Sequence, residues 1–327
     1  MLSSPASPGR SCPLHYRYAP GVFARTDELR AEVLYVVGGL YGNLSAWREA
    51  VRLLAVEERA AGAGRVALVL NGDFHWFDAD AGWFGEVERE TAGHLRLRGN
   101  VETEIADPEA GAGCGCAYPQ DVSDAVVERS NRIIERLRTT ARELPGVTAA
   151  LAALPMHAVA RVGETRWGLV HGDAESLAGW GFDPAALGAD ERGAWIERAL
   201  REAEVDGFAS SHTCAPALRA FTVDGRERLI INNGAAGMPN FAGTRAGVIT
   251  RIGTSAPPDG LPVLYGRTLR GVQVHAIALH YDHAAFLRRF LAVWPEGSDA
   301  HASYFARIVD GPDWCIAQAL GAREARA

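Results

Sequence analysis

Through the first half of the chain, apolar strand-like runs that end in polar turns alternate with stretches of helical periodicity. Val66-Ala67-Leu68-Val69-Leu70 runs into Asn71-Gly72-Asp73, and Leu95-Arg96-Leu97-Arg98 into Gly99-Asn100. Trp167-Gly168-Leu169-Val170 runs into His171-Gly172-Asp173, and Gly207-Phe208-Ala209-Ser210-Ser211 into His212. Residues 32–37 read as a further buried strand closed by the Gly38-Gly39 turn. Leu44, Trp47, Val51 and Leu54 place a helix over 44–61, and Ser123 with Val126, Ile133 and Leu137 places another over 123–144. A third amphipathic helix covers 190–203, and terminal helices cover 283–294 and 302–308. The later strands read as hairpins: 158–162 with 165–171 around Gly163-Glu164, and 220–223 with 228–232 around Asp224-Gly225. Further strands lie at 248–252 and 272–280. Residues 74–94 read as a loop with a short helix, and a glycine-rich loop carrying Cys114-Gly115-Cys116 follows Asn100.

This mixture predicts an α/β fold: a four-layer αββα sandwich, two mixed β-sheets packed face to face with helices outside. Residues 31–310 form the domain, preceded by an irregular arm at 1–30 and followed by a tail at 311–327. The ends of parallel strands gather at one rim, where ligands bind. Asp73, Asn100, His171 and His212 each sit at such an end, so the pattern predicts a metal site built from one carboxylate, one amide and two imidazoles.

Composition narrows the function. The 327 residues are 48% hydrophobic and 22% charged, ordinary for a globular domain with a sizeable core. A net charge of −7 argues against a binder of nucleic-acid duplexes, whose affinity comes largely from Lys and Arg. Five cysteines, an odd number, argue against a disulfide framework and for a reducing compartment. The first twenty residues lack the apolar stretch of a signal peptide, and no run approaches the roughly 20 apolar residues of a membrane span. A cytoplasmic protein with no membrane partner is expected.

The ordered residues resemble the calcineurin-like metallophosphoesterases, and most closely their small bacterial branch of phosphodiesterases and dinucleoside-polyphosphate hydrolases. The resemblance runs from about Leu34 to about Ile308. Gly39-Leu40-Tyr41-Gly42-Asn43-Leu44 stands at the family's Asp-x-His-Gly-Asn-Leu block, Gly72-Asp73 at its Gly-Asp, and Gly99-Asn100-Val101-Glu102 at its Gly-Asn-His-acid block. His171-Gly172 stands at the lone His, and Ser211-His212-Thr213-Cys214 at Gly-His-Thr-His. Asn232-Asn233-Gly234-Ala235 and Tyr281-Asp282 match two later turns.

The departures form a pattern. The resemblance implies two metal positions. One would use Gly39, Tyr41, Asp73 and Cys214, where the family has Asp, His, Asp and His. The other would use Asp73, Asn100, His171 and His212, all retained. The family's general-acid His is Val101 here. The resemblance thus implies a metal-dependent phosphoester hydrolase, of phosphodiesterase or phosphoanhydride type, that acts on a small phosphorylated substrate with a good leaving group. The alternative is a catalytically inactive binding or scaffold protein on the same fold.

The mixed oxygen and nitrogen ligands suit a divalent transition metal, Mn, Zn, Fe or Ni, better than Ca or Mg. Residues near the depleted position offer replacements. Cys214, Cys114 and Cys116 are candidate thiolate ligands, although Cys114 and Cys116 also read as incidental thiols of a glycine-rich loop. His75, two residues beyond Asp73, points the same way in an extended stretch, or packs with Trp76 and Phe77. Tyr41 either presents its hydroxyl to a phosphate or fills the space of a missing ion. Tyr41, His75 and Glu102 are the candidates for positioning and proton transfer.

Overall fold

Five consecutive buried residues, Val33-Leu34-Tyr35-Val36-Val37, form a central strand because both of its faces are covered. Its side chains alternate. Val33, Tyr35 and Val37 join a core shared with helices, whereas Leu34 and Val36 join a second core shared with the other sheet. The computed structural model describes residues 8–62, 64–108 and 111–321.

In chain order the elements are β1 (Glu28–Ala31), β2 (Val33–Val37), α1 (Leu44–Ala61), β3 (Val66–Asn71), α2 (Ala81–Thr91), β4 (Leu95–Leu97), α3 (Asn100–Ala106), α4 (Asp124–Arg142) and α5 (Val147–Ala152). There follow β5 (His157–Val162), β6 (Thr165–Val170), α6 (Pro184–Leu187), α7 (Gly193–Ala203), β7 (Gly207–Ser210), β8 (Ala217–Val223) and β9 (Arg226–Asn232). The last are β10 (Gly247–Gly253), β11 (Val263–Leu269), β12 (Val272–Leu279), α8 (His283–Val293), α9 (Asp299–Asp310) and α10 (Ile316–Ala319).

Two six-stranded sheets result, in the orders β1-β5-β6-β7-β9-β8 and β11-β12-β10-β2-β3-β4. Both are mixed. β2, β3 and β4 are parallel, as are β6, β7 and β9, while β5, β8, β10, β11 and β12 each make antiparallel pairs. Leu34, Val36, Val69, Trp167, Leu169, Ala209 and Ile231 fill the space between the sheets. Helices α1, α2, α4 and α8 cover one outer face and α7 the other. This is the four-layer αββα sandwich expected from the sequence.

Several local readings need correction. The N-terminal segment is not wholly irregular: Glu28–Ala31 is an edge strand parallel to β5, and Tyr16 and Phe23 are fully buried. Glu28 anchors it, with both carboxylate oxygens on Arg161 at 2.7 Å and one also on Arg166 at 2.9 Å. Charge pairing on an edge strand leaves no apolar pattern to read. At the other end α10 packs Ala319 against the inter-sheet core, so the tail continues the domain as far as residue 321; residues 322–327 lie outside the described part. Asn100 opens helix α3 rather than a loop, because Glu102 three residues on accepts the Gly99 N–H at 2.8 Å. Strand β11 had no reading, since a bulge between Val263 and Tyr265 breaks its alternation.

Candidate metal centre

The four strand-end residues converge. Asp73 follows β3, Asn100 follows β4, His171 follows β6 and His212 follows β7, so two parallel segments from each sheet deliver them to one rim. His171 Nε2 lies 3.2 Å from Asp73 Oδ2, 3.2 Å from Asn100 Oδ1 and 3.1 Å from His212 Nδ1. All four residues are buried.

The hydrogen bonds behind them decide what points inward. His171 Nδ1 is 3.0 Å from the Asn71 carbonyl, which can only accept, so the proton sits on Nδ1 and the Nε2 lone pair faces the centre. His212 Nε2 is 3.1 Å from the Cys116 carbonyl, which by the same reasoning turns the Nδ1 lone pair inward. The Asn100 amide nitrogen donates to the Cys114 carbonyl at 3.0 Å, leaving Oδ1 inward. Asp73 Oδ1 accepts the Val101 N–H at 3.2 Å, and Oδ2 remains. With both imidazoles neutral, four lone pairs therefore face one another. That arrangement is unfavourable in a buried site unless a cation fills it, and it is the donor set of a transition-metal ion backed by outer hydrogen bonds. Asp73, His171 and His212 have ligand atoms within 4.8 Å of one another.

The two imidazoles differ in their electrostatics. Burial, reinforced by the neighbouring His171, pulls the pKa of His212 down to about 3, keeping it neutral and able to ligate. For His171 burial pulls the pKa down, but the charge and hydrogen bond of Asp73 outweigh it and the net direction is up. A cation in the site would take the place of that proton.

The backbone is held in the left-handed region at three non-glycine residues of the site: Tyr41 (φ 54°), Asp73 (φ 50°) and Cys214 (φ 56°). Such residues persist only where the surroundings over-determine them, and they cluster at functional sites. Gly72 (φ 79°) is obligatory: a Cβ there would lie 2.6 Å from His171 Nδ1 and 2.8 Å from the Gly99 backbone.

Where the resemblance implies a second metal position, protein side chains pack against one another. A Cβ on Gly39 would lie 2.9 Å from the Tyr41 ring and 3.0 Å from its hydroxyl. The Tyr41 ring therefore occupies the direction in which a ligating side chain at residue 39 would project. Burial, with Cys214 and Asp73 nearby, pushes the Tyr41 pKa well above its usual value. Burial also raises the Cys214 thiol, against the pull of Arg307 and the Tyr41 hydroxyl.

Other candidates lie elsewhere. His75 is turned away from the centre and into the core. Its ring stacks on Phe84, with centroids 3.7 Å apart, and its nitrogens meet Asp78 at 2.5 Å and Glu88 at 3.0 Å. The turn after Asp73 is not extended, so the same-side argument does not apply. Glu102 serves the backbone: it accepts from the N–H groups of Asp73 (2.8 Å), Phe74 (3.0 Å), His75 (3.2 Å) and Gly99 (2.8 Å). It clasps the Asp73 turn to α3 and is fully buried. Burial, then the Asp73 charge, raises its pKa; the His75 charge and the backbone donors oppose this.

Cys114 and Cys116 are joined in a disulfide, made possible by the tight bend at Gly115 (φ 65°). Paired with each other, they are not the thiolate ligands expected; a single local pair, with Cys12, Cys214 and Cys315 unpaired, is no disulfide framework. Cys116 nonetheless borders the site, through its carbonyl on His212 and on Trp180 Nε1 (3.0 Å).

A cavity of about 230 Å³ opens beside Asp73, Asn100 and His212. Its walls include Tyr41, Val101, Tyr118, Trp180, Tyr304 and Arg307. Arg307 comes from α9 and donates to the Cys214 carbonyl at 2.8 Å. Sequence reading missed Arg307, Trp180 and Tyr118, which lie far from the strand-end turns. Asn71 was also missed, although it stands in the Asn-Gly-Asp turn; besides holding His171 it donates to the Val170 carbonyl at 2.6 Å, tying the two sheets together at the site.

No family model matches the sequence, and no curated protein matches it. Solved structures do. The chain is similar to the hypothetical protein PH1004 from Pyrococcus horikoshii OT3, with a TM-score of 0.55 at 17% identity over 88% of this chain and 100% of that one. It is also similar to a metallophosphoesterase from Sphaerobacter thermophilus, with a TM-score of 0.49 at 16% identity over 86% of this chain and 100% of that one. The chain thus shares its fold, two mixed sheets between layers of helices, with the PH1004 structure.

Proposed function

We propose that this protein is a metal-dependent phosphoester hydrolase working with one metal position instead of two. The observation that carries the reading is the convergence of four inward lone pairs, from Asp73, Asn100, His171 and His212, with every outer proton donated elsewhere. These residues would hold one divalent Mn, Zn, Fe or Ni ion. With a single carboxylate among the ligands the loaded site stays net positive; the ion would polarise a phosphoryl oxygen and acidify a water.

The chain's own groups supply the rest. Arg307 brings a second cation to the cavity and would attract the phosphate. Tyr41, kept protonated by its raised pKa, serves as a hydrogen-bond donor to phosphate rather than as a base. Glu102 is a positioning residue for Asp73. Val101 cannot protonate a leaving group, which favours phosphodiesters or anhydrides whose leaving groups depart as anions. Cytoplasmic residence is part of this reading, supported by three unpaired cysteines against a single local pair; among the described residues no helix is long and apolar enough to cross a membrane.

Metal analysis of the purified protein, followed by assay on a phosphodiester panel with added Mn, tests the proposal. About one ion per chain and turnover lost in Asp73→Ala are expected. A second reading, a non-catalytic binding module, draws on Tyr41 filling one metal position and Val101 replacing the acid. Negligible bound metal and no turnover in the wild type would select it.

A further inference from the structure

The cavity beside the metal centre has two chemically different walls. On one side Tyr41, Cys214 and Arg307 are linked by hydrogen bonds, the Tyr41 hydroxyl to Cys214 Sγ and Arg307 to the Cys214 carbonyl. On the other, Tyr118 and Trp180 stand with ring centroids 6.1 Å apart and tilted by 47°, and Trp180 meets the His212 ring edge-on at 5.4 Å. Val101 and Val126 line the same cavity.

The aromatic wall is fixed in place. Trp180 Nε1 donates to the Cys116 carbonyl at 3.0 Å, and the Tyr118 hydroxyl pairs with Ser130 at 3.0 Å. Both rings spend their polar atoms on the protein and turn apolar faces to the cavity. Both are only half-buried, so the faces are open to a ligand. At about 230 Å³ the space is smaller than the roughly 300–1,000 Å³ of sites for drug-sized ligands. It suits one ring beside a phosphoryl group.

We propose that the leaving group of the substrate is aromatic: a phosphoester of a phenol-like alcohol, with its ring seated against Trp180, Tyr118 and Val126. This rests on the phosphoester-hydrolase reading and narrows its substrate class. The chemistry is consistent with Val101. Oxygen from water forms the new bond to phosphorus, and the bond from phosphorus to the aryl oxygen breaks. The electron pair leaves on the aryl oxygen, the attacking water gives its proton to solvent, and the aryloxide later takes one from solvent. An aryloxide is stable enough to depart without an acid, whereas an alkoxide is not, so an apolar wall at residue 101 does not impede the reaction.

Binding of two non-hydrolysable probes to the full-length, Mn-loaded chain separates this inference from the reading beneath it. Titration calorimetry with phenylphosphonate and methylphosphonate measures what the wall adds to a shared phosphonate head. Phenylphosphonate is expected to bind about tenfold tighter or more, from burial of one ring. Tyr118→Ala and, independently, Val126→Asn should each shrink that ratio severalfold while leaving methylphosphonate affinity within about twofold. Equal affinities in the wild type, or a ratio unmoved by both variants, overturn the aryl assignment and leave the hydrolase reading intact. If neither phosphonate binds in the presence of Mn, both fail.

Discussion

The hydroxyl of Tyr41 lies 2.7 Å from the Sγ of Cys214. Both residues stand where the resemblance implies metal-ligating imidazoles, and here they are in hydrogen-bond contact with each other. The ring lies over Gly39, so all three departures at this position act together. Restoring the position should therefore take all three residues. The triple variant Gly39→Asp, Tyr41→His, Cys214→His should raise bound metal from about one to about two ions per chain, read by elemental analysis after dialysis against Mn or Zn. A triple variant that folds and still binds one ion would show that something else keeps the second one out.

Glu102 is the acceptor for four backbone N–H groups around the Asp73 turn. Glu102→Gln replaces one acceptor oxygen with a donor and leaves at least one of those groups unpaired. A destabilisation of about 2–4 kcal/mol is expected in urea unfolding, with Mn affinity about 10–100-fold weaker because Asp73 loses its support. A proton-transfer role would instead reshape the pH profile of turnover while sparing stability.

Arg251 and Glu57 form a fully buried pair, bonded at 2.7 and 2.8 Å, with the Tyr35 hydroxyl donating to the same carboxylate at 2.8 Å. Removing one partner strands a charge in the core. Arg251→Met should cost about 3–5 kcal/mol, and the double variant Arg251→Met, Glu57→Leu should recover much of that loss. Chemical denaturation of the three proteins decides it, since a double variant no better than the single would remove the stranded charge as the cause.

Hydrogen bonds from Arg161 lower the Glu28 carboxyl to about 2, against burial and with help from Arg166. A lowered folded-state pKa stabilises the protein above the unfolded value, and that contribution is lost as pH falls through the folded one. Glu28→Gln should thus be less stable than wild type at pH 7, by about 1 kcal/mol, and the gap should close between about pH 4.5 and pH 2. Thermal unfolding across that range measures it; a gap independent of pH would mean that Glu28 holds β1 by shape and not by charge.

The strand ends were legible in the sequence for a local reason. A buried parallel strand must be apolar on both faces, and the first polar residues after it mark the rim. Asp73, Asn100, His171 and His212 could therefore be read from their neighbours alone, as could the two-sheet fold from its mixture of helical crossovers and hairpins. What those side chains do at the rim is set by groups distant in the chain. The Asn71 and Cys116 carbonyls choose the imidazole tautomers, and no local pattern records that choice. His75 shows the limit from the other side: two residues from Asp73, it is drawn into the core by Asp78, Glu88 and the face of Phe84. Arg307 reaches the cavity only because α9 packs back across the site. The sequence by itself determined which residues arrive at the rim, because burial of strands is a short-range pattern. Only the tertiary structure decided that Tyr41 pairs with Cys214 while Asp73, Asn100, His171 and His212 turn ligand atoms toward one point, because hydrogen-bond pairing between distant segments depends on three-dimensional geometry.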